Sequence, residues 1–192
     1  MVERRSGGER PGFHGAFAYW NAARSLPPLS DLPFLFGLYP GLNNGTAGNL
    51  GTVYRSTDRR RLTPAERQLN RDVLRVRSTT VDIPRVNGTP GIPVLSLHGI
   101  GDLFVPLSME QVYARRTAQH GRSKLLVSRA IRATGHCDFT QPELRRGFDD
   151  LVRWVRGGHR PGGDAILDQR AVADPAFGCR FTSGTRREFS AC

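Results

Sequence analysis

Two glycine-bounded turns, each closing a short apolar run, constrain this chain more than any other feature. The first follows Val94 to Leu97 and reads Gly99-Ile100-Gly101-Asp102; the second follows Lys124 to Ile131 and reads Gly135-His136-Cys137-Asp138-Phe139. Val94 to Leu97 is β-prone and bounded by Pro93 and by glycines, the pattern of a short strand buried in a sheet. Leu125, Leu126, Val127 and Ile131 predict a second such strand. Between them Ser108 reads as a helix N-cap with Gln111 closing a capping box, and Gly121 as a left-handed stop. Strand, helix, strand implies a crossover between parallel neighbours. Loops at the carboxyl ends of parallel strands converge on one crevice, so Asp102 and His136 are expected to meet.

That meeting has a chemical use. An imidazole acts as a general base near neutral pH only when one ring nitrogen is held protonated so that the other can accept. A buried carboxylate fixes this tautomer and stabilises the imidazolium. Asp102 is the candidate catalytic acid residue of such a pair, and His136 the proton shuttle. His98, on the last turn of the first strand, reads as structural.

The run Leu97-His98-Gly99-Ile100-Gly101-Asp102-Leu103-Phe104-Val105-Pro106 resembles the acid loop of α/β-hydrolases. Gly135-His136-Cys137-Asp138-Phe139-Thr140, followed by a helix with Trp154-Val155 and then Gly157-Gly158 and Pro161, is similar to the histidine loop and final helix of secreted esterase-like and lipase-like members of that family. The resemblance implies an α/β fold: the C-terminal part of an α/β-hydrolase sheet, with its late parallel strands and helices, preceded by a helical lid-like region. It also implies a serine hydrolase cleaving a carboxylic ester or an amide of a small-molecule or lipid-like substrate, with a catalytic triad in the chain order nucleophile, acid, histidine. The family's nucleophile elbow, G-x-S-x-G, does not occur in this sequence; Gly121-Arg122-Ser123 lacks the second glycine and follows the acid. A complete sheet of this kind with its helices needs roughly 250 residues, by analogy with other large α/β folds, against 192 here. The expectation is a truncated hydrolase, inactive alone because no nucleophile is present.

Four stretches follow from patterning. Residues 1–12 are polar and glycine-rich and are expected to be disordered. Residues 13–80 suit the lid-like segment: Phe13, Phe17 and Trp20 fall on one helical face, Phe34, Phe36 and Tyr39 are candidate substrate-binding residues, and Thr63-Pro64-Ala65-Glu66 opens a helix through a capping box. That helix is expected to reach about Arg75 and to bury Leu69 and Val73. Residues 81–162 form the hydrolase-like portion. Its last helix opens at Thr140-Gln141-Pro142-Glu143, with Leu144, Phe148, Leu151, Val152 and Val155 as an apolar stripe expected to pack on the final strand. Residues 163–192 lose periodicity and read as an irregular tail, with at most an extended edge at 176–181. An open edge on a small parallel sheet invites self-association.

The net charge of +11 raises a nucleic-acid reading. Lys124 is the only lysine, however, and the arginines are dispersed, with no recognition fold or aromatic platform. A basic nucleic-acid module and a non-catalytic hydrolase-like remnant binding a lipid or a protein partner are therefore alternatives to the enzyme. No cluster has metal-ligand spacing and no glycine pattern has a phosphate-loop context, so no metal or cofactor is expected. Of three cysteines, Cys137 and Cys179 are a disulfide candidate in an exported protein, leaving Cys192 over; the alternative is three free thiols. No apolar run approaches a membrane span, and the charged stretch after Met1 has no signal-peptide core. A soluble chain is expected, and the sequence leaves its compartment open.

Overall fold

The structure is a computed structural model that describes residues 2–22, 49–55, 61–75, 77 and 86–192. The chain divides into two compact units, one of residues 22–85 and one of Val2–Asn21 together with Val86–Cys192. The elements are α1 (Val2–Arg5), α2 (Phe13–Ala22), α3 (Pro64–Asp72), β1 (Val94–Gly99), α4 (Leu107–Gln119), β2 (Leu126–Ile131), α5 (Gln141–Gly157) and α6 (Gln169–Ala173). The fold is mixed α/β.

In the first unit α3 forms through its caps. Thr63 accepts from the Glu66 amide, the Glu66 carboxylate accepts from the Thr63 amide at 2.8 Å, and Pro64 fills the first turn. The helix stops at Asp72, three residues earlier than its periodicity suggests, because Val73 turns extended. Leu69 is half exposed rather than buried. Arg75 is instead drawn onto the carbonyls of Asn49, Thr52 and Asn70. The candidate residues Phe34, Phe36 and Tyr39 lie outside the described residues.

In the second unit β1 and β2 pair in parallel, with Val94 opposite Leu126 and Gly99 opposite Ile131. The ladder continues past the strands through Ile100 N–H to Ile131 O (2.8 Å) and Gly101 N–H to Ala133 O (2.9 Å). The turns carrying Asp102 and His136 therefore leave the same end of the sheet. Helix α4 joins the strands, but it starts at Leu107 without a side-chain cap, so the box anticipated at Ser108 does not form. Leu107 is fully buried and Gln111 is turned inward, donating to Gly7 O and Ile166 O at 2.9 Å each. Gly121 does adopt the left-handed conformation, at φ +66°.

The two ends of the chain make contacts that its patterning does not announce. Arg10 joins residues 2–12 to the end of β1: its side chain donates to Ile100 O (2.6 Å), Gly8 O (2.8 Å) and Ser6 Oγ (3.2 Å), and lies over the Phe13 ring. The last thirty residues supply much of the core. Ile166, Val172, Phe177 and Phe189 pack with Ile100, Leu107 and Ala130, and Phe181 joins Ile131 and Ala133. Their spacing follows loops rather than a helix or strand period, which is why periodicity misses them. The tail also closes the outer edge of β2. Asp164 N–H donates to Ser128 O, Ala130 N–H donates to the Asp164 carboxylate, and Arg132 N–H donates to Thr182 Oγ1, each at 2.8 Å. Burial raises the Asp164 pKa against the Ala130 hydrogen bond and the neighbouring Arg180 and Arg129 charges.

A disulfide pins this tail, and it is not the pair anticipated from the sequence. Cys179 bonds Cys192, with Cα atoms 5.5 Å apart, while Cys137 is a free, exposed thiol. The tail folds back on itself, bringing its last residue to Cys179, whereas Cys137 points outward from its turn. The bond closes a loop of sequence separation 13. Cys192→Ser should cost about 2–4 kcal/mol of stability under oxidising conditions, read as a lower urea midpoint, and nothing under reducing conditions.

Helix α5 caps as its sequence predicts, with Thr140 and Glu143 in a reciprocal box. Its packing face differs from the stripe. Gly147 lies against Leu95 and Leu97, and Trp154 is buried. Asp150 pairs with Arg129 of β2. Leu144, Phe148 and Val155 are exposed, at 40%, 66% and 62%. At roughly 100° per residue, the helix turns Asp150 toward β2 and Gly147 onto β1. The exposed residues follow further round in the same sense, on the side beyond β1, whose outer edge has no strand among the described residues.

Candidate active site

Asp102 and His136 meet. His136 Nδ1 and Asp102 Oδ2 are 2.7 Å apart. An ionised carboxylate only accepts, so Nδ1 carries the proton and donates, leaving Nε2 free to accept one from a reacting group. The second carboxylate oxygen of Asp102 accepts from the amides of Phe104 (2.8 Å) and Val105 (3.0 Å). One oxygen is thus fixed within its own turn of chain and the other by His136 of the neighbouring turn. The Asp102 side chain is 5% exposed and the imidazole 44%. A buried orienting carboxylate and an accessible ring are what proton shuttling requires. The Phe104 ring meets the imidazole edge to face, with centroids 5.0 Å apart.

The acid turn is possible because Gly101 carries no side chain. A Cβ there would lie 3.0 Å from Ala133 O, 3.0 Å from Thr134 Cα and 3.1 Å from Ala16 Cβ. The histidine turn is tight as well: Phe139 N–H donates to Cys137 O at 2.9 Å, and Cys137 sits at φ +57°, a left-handed position that side chains other than glycine rarely take.

Neighbours that the sequence did not connect to the pair complete the site. Arg186, from the tail, donates to Glu143 Oε2 at 3.0 Å and to Asp138 O at 3.5 Å. The Glu143 side chain is fully buried and also accepts from Ser183 N–H at 2.8 Å. The histidine turn, the start of α5 and the tail are thereby tied together. Trp20, from α2, donates its indole N–H to Gly101 O and Thr134 O, at 3.1 Å each. Phe17, which the sequence placed with it on one packing face, is 40% exposed, while Ala16 is fully buried. No local motif announces either contact, since both partners lie far away in sequence. His98 lies behind the acid turn, facing Glu110, Asp102 and Arg10. Burial lowers its pKa, opposed chiefly by the Glu110 charge. Burial also lowers the Arg10 pKa, to about 10, opposed by Glu3. A cleft of about 480 Å³ lies at the amino end of β2, between Thr117, Arg160 and Asp164, remote from the pair. Among the described residues no His, Cys, Asp and Glu cluster could hold a metal ion, and no helix is long and apolar enough to cross a membrane.

Over 106 residues the chain is 30% identical to the o-phthalyl amidase of Xanthobacter agilis, a match covering 55% of this chain. The chain is similar to part of an amidase. That match spans about a fifth of the amidase, 22% of its length. No family model matches the chain, and no solved structure matches it.

Proposed function

We propose that this chain supplies the acid and histidine of an α/β-hydrolase-type serine hydrolase acting on amides or carboxylic esters, and that the nucleophilic serine comes from outside this sequence. The observation that carries the reading is the 2.7 Å contact between His136 Nδ1 and a buried Asp102, on turns that leave the same end of two parallel strands. The partial likeness to an amidase supports the reaction class. In that reading a serine attacks the carbonyl, His136 Nε2 takes its proton and returns it to the leaving amine or alcohol, and Asp102 stabilises the imidazolium between those steps. The edge of β1 that no strand among the described residues pairs with, and the exposed Leu144, Phe148 and Val155 stripe, form the side on which further strands of such a sheet, and the serine with them, would add.

The test is a chimera in which the α/β unit of this chain replaces the matching part of the Xanthobacter agilis amidase. Hydrolysis of an o-phthalyl amide by the chimera, lost in His136→Ala, supports the reading. A folded chimera whose activity is indifferent to His136→Ala overturns it.

A further inference from the structure

The two turns that carry Asp102 and His136 are cross-linked up to Gly101 N–H and Ala133 O. Beyond that point, among the described residues, no backbone hydrogen bond joins them. The next tie is the indole of Trp20, whose single N–H lies 3.1 Å from both Gly101 O and Thr134 O. Gly101 immediately precedes Asp102, and Thr134 stands two residues before His136. The donor is itself held in place. Helix α2 is seated by Phe13 and Ala16, both buried, with Ala16 against Gly101. Arg10 anchors the chain before it to Ile100 O at 2.6 Å.

We propose that Trp20 is a positioning residue for the Asp102–His136 pair: its shared N–H clamps the acid turn to the histidine turn and holds the distance between carboxylate and imidazole. This rests on the acid–histidine reading above. A three-centre donor suits the task because spreading the turns lengthens at least one of its two bonds, so separation is opposed directly.

The experiment is NMR on the whole chain, following exchange with solvent of the His136 Nδ1 proton in wild type, Trp20→Phe, Phe17→Ala and Asp102→Asn. Trp20→Phe keeps an aromatic ring and removes the donor. It should speed exchange roughly five- to tenfold, the equivalent of one net hydrogen bond. Phe17→Ala loosens the same helix away from the carbonyls and should leave exchange unchanged. Unchanged exchange in Trp20→Phe, or an equal acceleration in Phe17→Ala, overturns the proposal. If Trp20→Phe does not fold, the Trp20 indole proton in wild type, assigned with Trp154→Phe, decides: protection from exchange supports the clamp, and exchange as fast as a free indole overturns it. Asp102→Asn separates the two claims. If it leaves the Nδ1 proton unaffected, the pair itself is wrong; if it acts while Trp20→Phe does not, only the clamp is wrong.

Discussion

In the amidase chimera, Asp102→Asn lowers kcat by about 10⁴-fold with little change in KM, the size of effect seen when the orienting carboxylate of a serine–histidine–aspartate triad is lost. The cause lies in the hydrogen-bond inventory. An asparagine can present its NH₂ to Nδ1, which then becomes the acceptor and moves the ring proton to Nε2, where a serine would need a lone pair. The two amides of Phe104 and Val105 that hold Asp102 still find an oxygen, so the turn stays folded and the loss falls on kcat. Asp138→Asn, at an exposed carboxylate two residues past His136, leaves kcat nearly unchanged. Steady-state kinetics of the variants, side by side, read the difference.

Arg132→Met destabilises the chain by about 3–5 kcal/mol, measured by urea unfolding. Arg132 is 2% exposed, and its guanidinium donates to Phe177 O (3.0 Å), Ser190 O (2.9 Å) and Pro175 O. Burial lowers its pKa. Charged hydrogen bonds contribute about 1.5–3 kcal/mol each, and a carbonyl left buried without a partner costs about 1–3 kcal/mol. Methionine retains the apolar stem but abandons three carbonyls of the tail that supplies Ile166, Val172, Phe177 and Phe189 to the core. A loss below about 1 kcal/mol would show that the tail is held without it.

Arg132 also marks where sequence reading stops. As one of many scattered arginines it counted only toward the charge of +11. In the fold Arg129 and Arg132 are buried on β2 and bind the tail, Arg129 reaching Gly162 O and stacking over Phe181. Part of the basic character is therefore internal and structural. Whether an arginine faces solvent or the core depends on which loop later folds over it, and no local pattern carries that information. Glycine turns, strand-length apolar runs and capping boxes are local, and these features placed β1, β2, α3 and α5 and brought Asp102 to His136. Pairings set by how the two ends of the chain fold back were not legible: Trp20 with Gly101 and Thr134, Arg186 with Glu143, Cys179 with Cys192 rather than Cys137. The α5 stripe misled for a related reason. Amphipathicity shows that a face is apolar but not what covers it, and Phe148 and Val155 remain uncovered here.

Whether the serine lies outside this sequence is read by intact-mass analysis after treatment with a fluorophosphonate, which traps activated serines, on the chain alone and on the chimera. No adduct is expected on the chain alone, and one on the chimera, carried by a serine from outside this sequence and lost in His136→Ala. An adduct on the isolated chain that disappears with His136→Ala would place the nucleophile within these residues, and an adduct on the chimera that survives it would remove His136 from serine activation.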